Sequence, residues 1–97
     1  MKNYGFGIIG CGMIANFHAK AISELENARL VAASSRNQTN AEKLAKEYSA
    51  QWYADYREML KRDDIDIVNI CTPSGTHLEL ACRAANAGKH VIIEKPI

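Results

Sequence analysis

The chain is 97 residues long, 47% hydrophobic and 24% charged, a composition that suits one soluble globular domain and excludes a disordered or fibrous segment. Its 12 basic and 11 acidic residues are mixed along the chain and leave a formal net charge of +1, so there is no electrostatic footprint for nucleic acid or an anionic membrane. A small-molecule partner is the expectation.

No stretch approaches the roughly 18 unbroken apolar residues that a membrane helix requires. The apolar run near the N-terminus is interrupted by Gly5, Gly7, Gly10 and Gly12, which reads as strand plus turn and not as a signal peptide. Cys11, Cys71 and Cys82 are odd in number and sit among apolar or small neighbours. They predict reduced, packed thiols in a cytoplasmic protein, and no disulfide scaffold.

In chain order, Tyr4 to Gly10 (YGFGIIG) is a short apolar run ending in glycine, and a helical pattern follows from Met13 to about Leu25. Ala28 to Ser34 (ARLVAAS) is a second strand. Thr39 with Glu42 three residues later has the spacing of a capping box, and Ala41, Leu44, Ala45 and Tyr48 form a helical face behind it. Gln51 to Tyr53 is a brief third strand. Asp55 and Glu58 repeat the cap spacing ahead of a short helix with Met59 and Leu60. Asp66 to Cys71 (DIVNIC) is a β-branched fourth strand, and Thr76 with Glu79 caps a helix that should stop at Gly88. His90 to Ile93 is the fifth strand.

Strands alternating with helices imply right-handed βαβ crossovers. The predicted fold class is therefore α/β, a Rossmann-type parallel sheet of order 3-2-1-4-5, with helices on both faces and continuously apolar strands. The chain stops three residues after Glu94 with no closing helix. Residues 1–97 therefore read as the nucleotide-binding domain of a longer protein whose substrate domain is absent.

Gly10-Cys11-Gly12-Met13-Ile14-Ala15 matches G-x-G-x-x-G/A between a predicted strand and a predicted helix. The first glycine permits a tight turn, the second lets backbone approach a pyrophosphate, and Ala15 keeps helix and strand close. A helix N-terminus there faces the phosphates with unpaired N–H groups and a partial positive charge. Gly10, Gly12, Met13 and Ile14 are the candidate pyrophosphate turn for NADP or NAD.

NAD sites usually place a carboxylate at the end of the second strand. Ser34, Ser35 and Arg36 occupy that place here. Ser35 beside the Arg36 guanidinium can hold a ribose 2′-phosphate through charge-assisted hydrogen bonds, which favours NADP; an ordinary solvated arginine is the alternative. CTPSGTH, from Cys71 to His77, ends the fourth strand beside the first, so Thr72, Pro73 and His77 border the expected cofactor crevice. For His77 a capping or packing role competes with cofactor contact. Glu94-Lys95-Pro96 ends the fifth strand on the same edge, where a solvated strand end is the alternative to a functional pair.

Together GIIGCGMIANFHAKAI, VAASSR, CTPSGTH and GKHVIIEKPI resemble the glucose-fructose oxidoreductase and inositol dehydrogenase (Gfo/Idh/MocA) family over nearly the whole chain. The resemblance implies that Glu94 and Lys95 lie at the active centre, with Lys95 as the catalytic residue contacting the nicotinamide ribose and the reacting substrate oxygen. His18 matches a frequent position of the family on the first helix, where it reads as structural. The resemblance also implies hydride transfer between the nicotinamide and a hydroxyl-bearing carbon of a sugar or polyol held by a second domain. The family's acidic residue is missing at Ser35. The expected full-length protein is a cytoplasmic homo-oligomer that binds neither nucleic acid nor membrane, and no metal is implied. Two other classes remain: a non-catalytic NAD(P)-sensing module, and a Rossmann domain for another ligand such as S-adenosylmethionine.

Overall fold

The computed structural model describes residues 3–10, 12–71 and 77–93. Five strands and four helices alternate: β1 (Tyr4–Ile9), α1 (Met13–Ser23), β2 (Ala28–Ser34), α2 (Gln38–Glu47), β3 (Gln51–Tyr53), α3 (Tyr56–Met59), β4 (Ile67–Ile70), α4 (His77–Asn86) and β5 (His90–Ile93). They form one sheet in the order β3-β2-β1-β4-β5, with every neighbouring pair parallel, as the alternation predicts.

β1 is the central strand, and its alternating side chains divide the core in two. Phe6 and Ile8 point to one face, where Ala15, Ala19 and Ile22 of α1 and Ala41 and Leu44 of α2 cover them. The spacing i, i+4, i+7 on α1 brings two alanines and one isoleucine to the sheet. Ile9 points to the other face with Val31, Ala32, Val68 and Ile70, beneath Met59, Leu60, Ile65, Leu80 and Ala84. Burial on both faces explains why β1, β2 and β4 read as apolar runs.

β5 departs from that expectation. His90, Ile92 and Ile93 are exposed, because β5 is the edge of the sheet among the described residues and α4 covers only part of it. The start of α2 also differs. Asn37, not Thr39, is the N-cap, its side-chain oxygen accepting from the Asn40 backbone N–H at 3.2 Å, so Thr39 lies inside the first turn. Asp55 caps α3 as the spacing predicts, accepting from the Arg57 N–H at 2.9 Å. Cys82 is exposed instead of packed, since Leu80 and Ala84 occupy the inward face of α4 and Cys82 falls between them; Cys71 is half-buried, and neither is in a disulfide among the described residues. Thr76 and Cys11 lie outside the described residues.

Helix ends follow their caps. Gly88 adopts φ +81°, and Lys89 N–H donates to the Ala84 carbonyl at 3.0 Å, closing α4 with a Schellman-type bond where the sequence predicts the stop. Ser49 makes the corresponding turn after α2 at φ +56°, with Ala50 N–H donating to the Ala45 carbonyl at 2.8 Å.

The amino end of β1 is closed by a tight knot. Gly5 N–H donates to the Asp66 carboxylate at 2.9 Å, and Asp66 N–H donates to the Gly5 carbonyl at 2.7 Å. A Cβ on Gly5 would collide with the Asp64 carbonyl oxygen and come within 2.9 Å of Val31 Cγ2. At Gly7 the nearest atoms are the flexible ends of Ile65 and Met59, at 3.2 Å. Gly5→Ala should therefore destabilise the protein by about 3 kcal/mol or more, the upper end of overpacking costs. Gly7→Ala should cost about 1–2 kcal/mol. Chemical denaturation of the two variants checks the order, and equal midpoints would contradict it.

Candidate functional site

The strands end level at the carboxyl edge: Ile9 is in register with Ser34 of β2 and Ile70 of β4, and Ile70 with Ile93 of β5. From β1 the chain crosses to β2 on one side, while β4 leads to β5 on the other. The crevice outside β1 and β4 is thus a topological switch point, where open α/β sheets bind ligands. Backbone bonds fix its rim, with Gly10 N–H on the Ser34 carbonyl at 2.7 Å and Cys71 N–H on the Ile9 carbonyl at 2.8 Å.

The turn into α1 is open to that crevice. Gly10 has φ +95°, a left-handed conformation that suits glycine. Gly12 is the N-cap of α1 and supplies no side-chain cap, and the first turn contains no acidic residue. A Cβ built on Gly12 meets nothing within 4 Å, so among the described residues nothing fills the space beside this backbone. Met13 is 76% exposed and Ile14 is half-buried. Ala15, fully buried, seats the helix against β1. The result is a helix N-terminus with no side-chain cap, no acidic residue in its first turn and nothing among the described residues beside Gly12, a geometry with which helix starts can bind phosphates.

At the end of β2, Ser34 is buried and Ser35 is half-buried, its hydroxyl oxygen accepting from the Asn37 N–H at 3.2 Å. Arg36 is exposed and belongs to none of the ion pairs among the described residues. The first turn of α2 has no acidic residue. A hydroxyl, a guanidinium and a second helix start therefore stand where the sequence reading located them, with no carboxylate between them.

His77 is the first residue of α4. Thr72, Pro73, Glu94 and Lys95 lie outside the described residues. Sequence reasoning missed the partner of His18: Asn69 on β4, whose side-chain nitrogen lies 2.7 Å from His18 Nδ1. The available signal was a single amide in the β-branched run DIVNIC.

The ion pairs serve the scaffold. The Asp64 carboxyl is held below its ordinary value by the hydrogen-bonded Arg62 guanidinium, which also donates to the Tyr53 hydroxyl at 3.0 Å. Asp55 is lowered in the same way by Arg57. Because the folded-state values are depressed, these pairs favour the fold above the ordinary carboxylate value of 3.8 and lose that effect as pH falls through the folded values. Their exposure keeps the effect small.

Residues 4–97 match a family model described as an oxidoreductase family with an NAD-binding Rossmann fold. The chain is 42% identical over 92 residues to an inositol 2-dehydrogenase of Rhizobium meliloti (strain 1021), covering 95% of this chain and 28% of that protein. Among solved structures it superimposes on a protein from gentamicin A biosynthesis in complex with NAD, with a TM-score of 0.96 at 26% identity, covering 99% of this chain and 28% of that one. A 3-ketoreductase from Actinomadura kijaniata in complex with NADP and TDP-benzene gives a TM-score of 0.90 at 33% identity, covering 98% and 30%. The chain thus spans under a third of the length of these relatives.

The open space at Gly12 separates ligand binding from stability. Gly12→Ala should leave unfolding free energy within about 0.5 kcal/mol, as for substitutions that touch nothing. It should weaken ADP binding about tenfold or more by placing a methyl group where the pyrophosphate approaches. Calorimetric titration with ADP beside a denaturation curve checks both halves; unchanged ADP affinity would contradict the site.

Proposed function

The chain belongs to the Gfo/Idh/MocA oxidoreductase family with its NAD-binding Rossmann fold, and from that premise we propose that it is the dinucleotide-binding domain of an NAD(P)-dependent sugar or polyol dehydrogenase. The observation that carries the proposal is the uncapped, acid-free start of α1 at the switch point, behind a left-handed Gly10 and an unfilled space at Gly12. Backbone amides of Gly12, Met13 and Ile14 hold the pyrophosphate, and the helix dipole offsets its charge. Bound nicotinamide supplies a hydride acceptor or donor.

Ser35 and Arg36 bind the adenosine ribose, and their donors favour the 2′-phosphate of NADP over NAD. Support comes from the lack of a carboxylate at the end of β2 and in the first turn of α2. A charge-assisted hydrogen bond contributes about 1.5–3 kcal/mol, so Arg36→Ala should weaken NADP roughly ten- to hundredfold and NAD little. Equal loss for the two cofactors, or tighter binding of NAD by the unmodified protein, would overturn the preference.

Thr72, Pro73 and His77 line the nicotinamide half, and Glu94 and Lys95 lie at the reacting centre. For Lys95 the support is positional: it follows Ile93 by two residues, and Ile93 is level with Ile70 and Ile9 at the carboxyl edge. An ammonium there stabilises the alkoxide character that develops as hydride leaves. A second domain, beyond residue 97, orients the substrate and excludes water. In the full-length enzyme Lys95→Met should leave cofactor affinity within a few fold and lower turnover by orders of magnitude, the pattern of a lost transition-state contact. Near-normal turnover would assign the chemistry to other residues, and a protein that binds NAD(P) but turns over no sugar or polyol would favour the sensing module.

A further inference from the structure

Asn69 is 3% exposed and faces the α1 side of the sheet, beside Ile8 of β1, with which it is in register. Its side-chain nitrogen lies 2.7 Å from His18 Nδ1, and its Oδ1 is buried with no hydrogen-bond partner among the described residues. Turning the amide over would satisfy the oxygen and strand the nitrogen instead, so one polar end of this side chain is unpaired in either orientation. A leucine or valine would fill such a site in a β-sheet core without that penalty. Stability alone therefore does not account for an asparagine here.

What the amide does is add a direct side-chain hydrogen bond between α1 and β4. α1 packs on β1 and β2, with Ala15, Ala19 and Ile22 facing the sheet. His18 stands three residues after Ala15 on the same side of the helix, and its bond to Asn69 ties α1 to β4. The two elements carry opposite halves of the proposed cofactor site. In the proposed reading the start of α1 faces the pyrophosphate, and the carboxyl end of β4, at Ile70 and Cys71, stands on the side of the nicotinamide half. A shift of α1 across the sheet would change the distance between these halves.

We propose that His18 and Asn69 are positioning residues: their hydrogen bond fixes α1 against β4 so that one dinucleotide spans the pyrophosphate turn and the β4 edge together. The proposal rests on the reading that the α1 N-terminus receives the pyrophosphate. It separates ligands by length. ADP occupies only the α1 and β2 side, whereas NAD(P) must also reach past β4, so only the longer ligand depends on the α1–β4 spacing.

The test uses the full-length protein with ADP, NAD and NADP as probes, measured by calorimetric titration beside thermal unfolding. Asn69→Leu, which removes the bond and the stranded polar atom together, should leave the melting temperature unchanged or raised and ADP affinity within twofold, while weakening the preferred dinucleotide five- to twentyfold. His18→Leu should weaken the dinucleotide to the same extent with ADP affinity again within twofold, but it should lower the melting temperature, because it leaves both polar ends of the buried Asn69 amide unpaired. His18→Asn, which keeps an acceptor near the position of Nδ1, should recover dinucleotide affinity to within about twofold. Dinucleotide affinity unchanged in Asn69→Leu would overturn the proposal, as would a parallel loss of ADP and dinucleotide binding with a lowered melting temperature, the signature of a merely structural contact. An unmodified protein that binds ADP but neither dinucleotide, or none of the three, would instead overturn the reading on which the proposal rests.

Discussion

Gly10 carries the chain from β1 into α1 at φ +95°, a conformation that costs a residue bearing a Cβ about 1–2 kcal/mol, and the seat of α1 over β1 and β2 depends on that turn. Once the chain has reversed, the buried Ala15 and Ala19 bring the helix axis close to the sheet. The helix start is then held just outside the carboxyl edge, with its amides unpaired by any cap side chain. A polar side chain at Gly12 would cap those amides and abolish their use. The same glycine-containing turn is thus the structural hinge of the first βαβ unit and the surface proposed to face a phosphate.

The two ends of β1 divide the work. At the amino end, Gly5 lies against the Asp64 carbonyl and exchanges hydrogen bonds with Asp66, so chain segments distant in sequence lock together with no room for a side chain. Beyond the carboxyl end, a Cβ on Gly12 would meet nothing among the described residues. Both are glycines in one strand–turn–helix unit, yet packing requires one, while packing among the described residues leaves the other unconstrained. The core follows the same logic. It is densest around β1, Val68 and Ile70, and it thins at the described edges, where Trp52 on β3 and Ile92 and Ile93 on β5 are exposed.

Much of this is legible in the sequence because it depends on neighbours. Alternating apolar runs and helical faces predict the strand order, Gly10 and Gly88 predict their turns, and Asp55 predicts its cap. Two residues capable of capping α2 stand close together, and local spacing favours Thr39 through Glu42, whereas the end of β2 delivers the chain to Asn37. The Gly5 contact with residue 64 and the bond from His18 to Asn69, 51 residues apart, depend on tertiary juxtaposition and leave no periodic trace. The exposure of β5 and Cys82 has the same origin, since an apolar run does not state which side of it is covered. Within the candidate site, Gly10 and Gly12 follow β1 and the Ser35–Arg36 pair follows β2 as the sequence order implies, while Thr72, Pro73, Glu94 and Lys95 lie outside the described residues.

The central claim is that the open start of α1 receives a dinucleotide pyrophosphate. Backbone amide chemical shifts of the isotope-labelled protein, followed during titration with NADP and with NAD, test it most directly. The account predicts that the Gly12, Met13 and Ile14 amides shift most strongly and saturate together with the Ser35 and Arg36 amides. Saturating shifts confined to other parts of the molecule, with these amides unmoved, would contradict it.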